Sequence, residues 1–188
     1  MPKAKISREM VVDAAFEVAR ASGVENVNAR TVSEKLNCST QPVMYYFATI
    51  EELKRAVYAK TDSFHTEYLM NAEPDKNPIL SIGLNYVRFA INEPHLFRLL
   101  FQSNYAVENS LLEMIDSPEL TPVISAMREA LGMNGEQTKK VFLVVALFTH
   151  GYASIIANNS LEYDEKVVAE HLKLAFRGAV LAVKEEEK

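Results

Sequence analysis

The sequence predicts an all-α chain of two domains, and three observations carry that expectation. Apolar residues recur at three- and four-residue spacing along most of the 188 positions, as amphipathic helices require. Between Asn28 and Leu53, cap residues and a proline delimit short helices that must meet at a sharp corner. The stretch 71–78, NAEPDKNP, holds two Pro and three Asn or Asp in eight residues, and it is the clearest break in the chain. The expected division is an amino-terminal three-helix domain over 1–60 and a larger carboxy-terminal helical domain over 61–188.

The first helix runs from about Ser7 to Ser22, with Met10/Val11, Ala14/Ala15 and Val18/Ala19 on its inner face and Gly23 at a left-handed C-cap. Asn28 caps a second helix carrying Val32 and Leu36, because its side-chain oxygen can accept from N–H groups that a first turn leaves unpaired. That helix stops at Asn37. Ser39 is the expected cap of a third helix, with Pro42 in its first turn, where a missing N–H costs little. Two helices so close must cross steeply, which is the helix-turn-helix, here about 28–47; its second helix offers N-terminal side chains to base edges in the major groove. Those side chains are Thr40, Gln41 and Tyr45, with Tyr46 close to the backbone, and Arg30 and Lys54 or Arg55 are candidate phosphate contacts. Thr49 and Glu52 make a capping box that starts a fourth helix through Leu53 and Val57 towards Phe64. Pro2-Lys3-Ala4-Lys5 reads as a frayed basic terminus, with a phosphate or minor-groove contact as the alternative.

At these residues the chain resembles the tetracycline-repressor (TetR/AcrR) family of bacterial transcription regulators. Ala14-Ala15, Gly23, Asn28, Val32, Ser39, Tyr45-Tyr46-Phe47 and Glu51-Glu52-Leu53 stand at the family's spacing over about the first 60 residues. Met44 stands where the family usually has Tyr, Tyr46 where it often has His, and Ile50 where it usually has Lys. The resemblance implies DNA-binding residues Asn28, Arg30, Ser39, Thr40, Gln41, Pro42, Tyr45, Tyr46 and Lys54, double-stranded operator DNA as partner, and a homodimer. It further implies repression relieved by a small-molecule effector, for which the aromatic and Met side chains of the carboxy-terminal domain suggest a hydrophobic or amphipathic compound. The alternative is a DNA-bound interaction protein that has no effector and recruits another protein.

Beyond the break, Leu80, Leu84, Val87 and Ile91 trace a helix ended by Glu93-Pro94. Leu96, Leu99 and Leu100 form the core of the next, which Phe97 and Phe101 widen. A short helix is expected from Val107 to Ile115, and Thr121-Pro122 reads as cap and first position of another, carrying Val123, Met127, Ala130 and Leu131. Residues 141–148, VFLVVALF, are apolar on every face, so that helix should be covered on all sides. Its longest apolar window, Val141 to Ala157, falls short of the roughly 20 residues of a membrane span, and no membrane association is expected. The final helix carries Val168, Leu172, Ala175, Ala179 and Val183 at near-heptad spacing. In the family resembled these would face a second subunit; a seam within one chain is the other reading.

Charge is uneven. Residues 1–60 carry nine Lys and Arg against seven Asp and Glu, whereas the whole chain has a net charge of −5, so the positive balance lies at the expected DNA end. One Cys excludes an internal disulfide framework, and with no secretory signal pattern a cytoplasmic protein is expected. His65, His95, His150 and His171 show no metal-ligand spacing, and no nucleophile elbow or phosphate loop is present. No enzyme, cofactor or metal is therefore expected. Phe97, Phe101, Tyr105, Met114, Met127, Phe148, His150 and Tyr152 are the candidates for an effector cavity, since pockets combine apolar walls with a few polar points.

Overall fold

The computed structural model describes residues 6–71, 77–105, 110, 113, 115–159 and 161–186. These form nine α-helices, two 3-10 turns and no strand among the described residues. They divide into two compact units, one drawn from Met1–Phe64 with Glu93–Val107, the other from His65–Asn92 with Glu108–Lys188.

In the first unit, α1 (Arg8–Ser22) starts where the Ser7 hydroxyl accepts from the Met10 N–H and ends at Gly23, whose φ of 94° suits a residue without Cβ. A 3-10 turn, Val24–Asn26, leads to α2 (Ala29–Lys35). Asn28 Oδ1 accepts from the N–H groups of Arg30 and Thr31, both at 3.0 Å, while Thr31 Oγ1 accepts from Asn28 N–H at 3.2 Å. This closed capping box fixes the direction in which α2 leaves the turn. Asn37, at φ 51°, reverses the chain before α3 (Gln41–Tyr46). α4 (Ile50–Met70) begins with Thr49 accepting from Glu52 N–H, and the Glu52 carboxylate reaches back to Ala48 N–H at 3.0 Å. Val11, Ala15, Val32, Val43, Leu53 and Val57 are sealed inside.

A helix far along the sequence joins this unit. α6 (Pro94–Phe101) packs on α1 and contributes the buried Leu96, Phe97, Leu99 and Leu100. Arg20 makes a bidentate pair with the Glu93 carboxylate, donating from Nε at 2.8 Å and again from Nη2. Glu93 is buried, and a carboxylate removed from water requires such a partner.

The second unit is built on α5 (Pro78–Asn92), α7 (Thr121–Leu131), α8 (Gly135–Asn159) and α9 (Glu165–Glu185), with a 3-10 turn at Pro118–Leu120. α8 packs on α5, α7 and α9. Gly83 on α5 lets α9 approach closely: a Cβ there would lie 3.1 Å from Leu172 Cδ1. Met127, Met133, Val141, Ala179 and Val183 form one buried cluster.

Four expectations are corrected. Thr40, not Ser39, occupies the cap position of α3, because its carbonyl accepts the first helical bond, from Met44 N–H, although no side-chain cap bond is made. Thr121 is the first residue of α7 rather than its cap, Leu120 holding that place and Pro122 the first turn. α8 is not covered on all sides within the chain, for Val144, Leu147, Phe148 and Ile155 face outward. By length and a mean hydropathy of 1.7 α8 could cross a membrane, but its buried Thr138, Val141, Thr149, Ala153 and Ile156 serve the helical core. The fourth concerns the α9 seam. Val168, Leu172, Ala179 and Val183 are buried inside their own unit and Ala175 is half-buried, so this stripe covers α5 and α8 rather than a second subunit. The helix expected at Val107–Ile115 lies almost wholly outside the described residues.

Candidate functional site

The corner between α2 and α3 is set by local chemistry. Asn28 and Thr31 start α2, Asn37 ends it in the left-handed region that Asn tolerates, Cys38 N–H donates to Ser33 carbonyl at 3.0 Å, and Pro42 fixes φ in the first turn of α3. Val43 is the anchor of α3, fully buried, and Phe47 follows it into the core. The Arg8 guanidinium lies 4.7 Å from the Phe47 ring centroid, a cation–π contact that ties α1 to the end of α3.

With Val43 turned inward, Gln41, Met44 and Tyr45 are exposed, Tyr45 to 80%. At 3.6 residues per turn these three project within about 100° of one another. Thr40 and Ser39 are exposed beside them and Pro42 is half-buried. Tyr46 is held differently: its hydroxyl donates to Ile6 carbonyl at 2.9 Å, and its ring meets Tyr45 edge-on at 5.0 Å. It braces the segment before α1 and steadies Tyr45.

The candidate phosphate contacts are unequal. Arg30 is well exposed on α2 and paired with Glu34 one turn on, and that exposed carboxylate raises its already high pKa. Lys54 has 16% of its side chain exposed, with Nζ 3.6 Å from Glu51. Arg55 is the exposed cation of that turn. Asn28 is committed to the cap of α2, where it positions the helix through its backbone bonds.

The described residues expected to line an effector cavity are divided between the two units. Phe97 and Phe101 pack at 5.1 Å in the first unit, where the Tyr105 hydroxyl also donates to Glu51 at 2.9 Å; burial first, then Glu51, raises the Tyr105 pKa. Met127 is sealed in the core of the second unit, and Met114 lies outside the described residues. His150 Nδ1 pairs with the Tyr86 hydroxyl at 2.9 Å, and burial lowers the His150 pKa. Of the eight, Phe148 and Tyr152 line an open groove of about 530 Å³ with Leu147, Ile155, Leu161 and Val167. Tyr152 is paired with His171 across α8 and α9, 3.1 Å from hydroxyl to Nδ1.

The outward sides of α8 and α9 each carry a row of residues at regular spacing. On α9, Val167, His171, Leu174, Gly178 and Leu181 are all exposed and step by four, three, four and three residues. Val144, Phe148, Gly151 and Ile155 step by four, three and four along α8, and all but the half-buried Gly151 are exposed. Such spacing is that of helices packed along a seam. The signal was present in the sequence, alongside a second stripe on the same helix.

No protein-family profile matches the chain. An uncharacterized HTH-type transcriptional regulator of Bacillus subtilis (strain 168), YobS, is 20% identical over 183 residues, which are 94% of this chain and 92% of that protein. A tetR-family transcriptional regulator from Streptomyces coelicolor superposes with a TM-score of 0.70 at 12% identity, over 95% of this chain and 88% of the other. A TetR variant from Acinetobacter baumannii AYE, solved in complex with minocycline, superposes with a TM-score of 0.61 at 10% identity, over 98% and 99%. The likeness seen at the amino terminus thus extends, as a fold, over the whole chain.

Proposed function

We propose that this chain, which has the fold of the tetracycline-repressor regulators, is itself a cytoplasmic, homodimeric, sequence-specific DNA-binding regulator of transcription. The observation that carries the reading is the face of α3, where Gln41, Met44 and Tyr45 stand exposed over a buried Val43. Nothing in a free-standing helical core calls for such a face, whereas a helix entering the major groove requires it. Thr40 and Gln41 meet base edges, Gln41 having the two-point donor and acceptor geometry for adenine. Arg30, Arg55 and the backbone beside Ser39 and Pro42 engage phosphates, Lys54 contributing least.

The dimer is formed by the outward row of α9, Val167 to Leu181, with the row of α8 from Val144 to Ile155. Leu174 and Leu181 are 63% and 61% exposed, an arrangement a second copy relieves. Two heads joined in this way read half-sites about one helical turn, roughly 34 Å, apart. The effector reading rests on the α8–α9 groove, whose apolar walls suit a hydrophobic or amphipathic compound. Since Phe148 and Val167 belong to both the groove and the pairing rows, an occupant would bear on how the subunits meet and so lower operator affinity by the factor with which DNA lowers its own. Repression released by such a compound is the sign of regulation we infer.

The test is fluorescence anisotropy of a duplex selected from random sequence, with and without apolar compounds. Saturable binding to the selected duplex, weakened by added salt and by one class of compound, is expected. Binding of equal strength to every duplex would contradict sequence-specific function.

A further inference from the structure

We infer that Met44 is a specificity-determining residue that reads the C5-methyl group of a thymine in each half-site, next to the base pair met by Gln41. The inference rests on the proposed DNA-binding role and deepens it. Met44 is 45% exposed on a helix whose inward position is filled by Val43, and it stands outside the buried core that would explain an apolar side chain there. It shares its arc of α3 with Gln41 and Tyr45, three positions after the first and adjacent to the second.

The chemistry of the groove then selects the target. Base edges in the major groove present hydrogen-bond donors and acceptors at every pair, and one apolar group, the thymine methyl. A thioether chain offers neither a strong donor nor a strong acceptor and cannot distinguish the polar patterns. What it can do is remove a methyl group from water, and its unbranched, adaptable chain fits that contact without fixed orientation. Gln41 supplies the complementary preference for adenine, so the two side chains together favour neighbouring A·T pairs. The short turn from Asn37 to Thr40 and the Tyr46 anchor on Ile6 hold the helix so that both side chains bear on the same strip of groove.

The experiment compares full-length wild-type protein with Met44→Ala on the duplex selected by the wild type. Each thymine of the half-site is replaced in turn by deoxyuridine, which lacks only the methyl. One position per half-site should weaken wild-type binding by about fourfold, the burial free energy of one methyl group, and the same replacement should leave Met44→Ala unaffected. A matched thermal melt checks that the exposed substitution leaves the fold intact. Insensitivity of the wild type at every thymine, or equal sensitivity in Met44→Ala, overturns the assignment while leaving DNA binding in place. Failure to enrich any sequence overturns both.

Discussion

The recognition face of α3 and the outward sides of α8 and α9 are both uncovered in the single chain, and they carry opposite chemistry. On α3 the exposed side chains are an amide, a phenol and one thioether around a single buried valine. On α8 and α9 they are aliphatic and aromatic, in rows at seam spacing, with Gly151 and Gly178 among them. A polar partner with donors and acceptors at fixed positions matches the first surface, and a second apolar helix pair matches the second. Exposure alone does not identify a partner; the chemistry of what is exposed does.

The largest effect expected from that contrast separates the two stripes of α9. Leu172→Glu places an unpaired ion in a subunit core, at a cost of several kcal/mol, and should leave the second unit unfolded by circular dichroism. Leu174→Glu, two positions on but outward, should give a folded monomer by sedimentation. A folded dimer for Leu174→Glu would move the interface elsewhere.

Acid tests the interior of the second unit. His65 is buried against the rings of Tyr86 and Phe89, and burial lowers its pKa to about 3. Its folded-state value lies below the unfolded one of about 6.5, so the unfolded chain takes up the proton first. Stability is complete above about pH 6.5 and should fall towards pH 3 by up to about 1.4 kcal/mol per unit. A His65→Phe variant, measured by chemical denaturation across that range, should lose this slope.

In the first unit, Arg20→Ala leaves the buried Glu93 carboxylate without its bidentate partner and should lower stability by about 1–3 kcal/mol. Gln41→Ala should relax preference at one base pair by about 1–3 kcal/mol and leave the melting temperature unchanged. Smallest of all, Arg55→Ala should reduce the slope of log affinity against log salt by about one per half-site, and Lys54→Ala, already screened by packing and Glu51, by less.

The sequence disclosed local chemistry well. Asn28 and Thr49 announce helix starts because capping involves only neighbouring residues, and Gly23 and Asn37 announce ends for the same reason. Ser39 has a capping side chain, but Thr40 takes the cap position without a side-chain bond, so the start of α3 moves by one residue. Periodicity found an apolar stripe on α9, but two stripes run along it, one through Leu172 and one through Leu174, and only packing tells which faces α5. Composition and periodicity could not place Phe97 and Tyr105, which belong with α1 and Glu51. The pairs that bring them there, Arg20 with Glu93 and Tyr105 with Glu51, lie 73 and 54 residues apart in sequence, beyond the reach of pattern.

Both surfaces are tested together by selecting duplexes from random sequence with the full-length protein and reading the enriched motif. An inverted repeat is expected, its A·T-containing half-sites centred a whole number of helical turns apart, because α3 reads each half-site and the α8–α9 rows supply the twofold axis. A motif consisting of a single half-site, or no enriched motif, would contradict it.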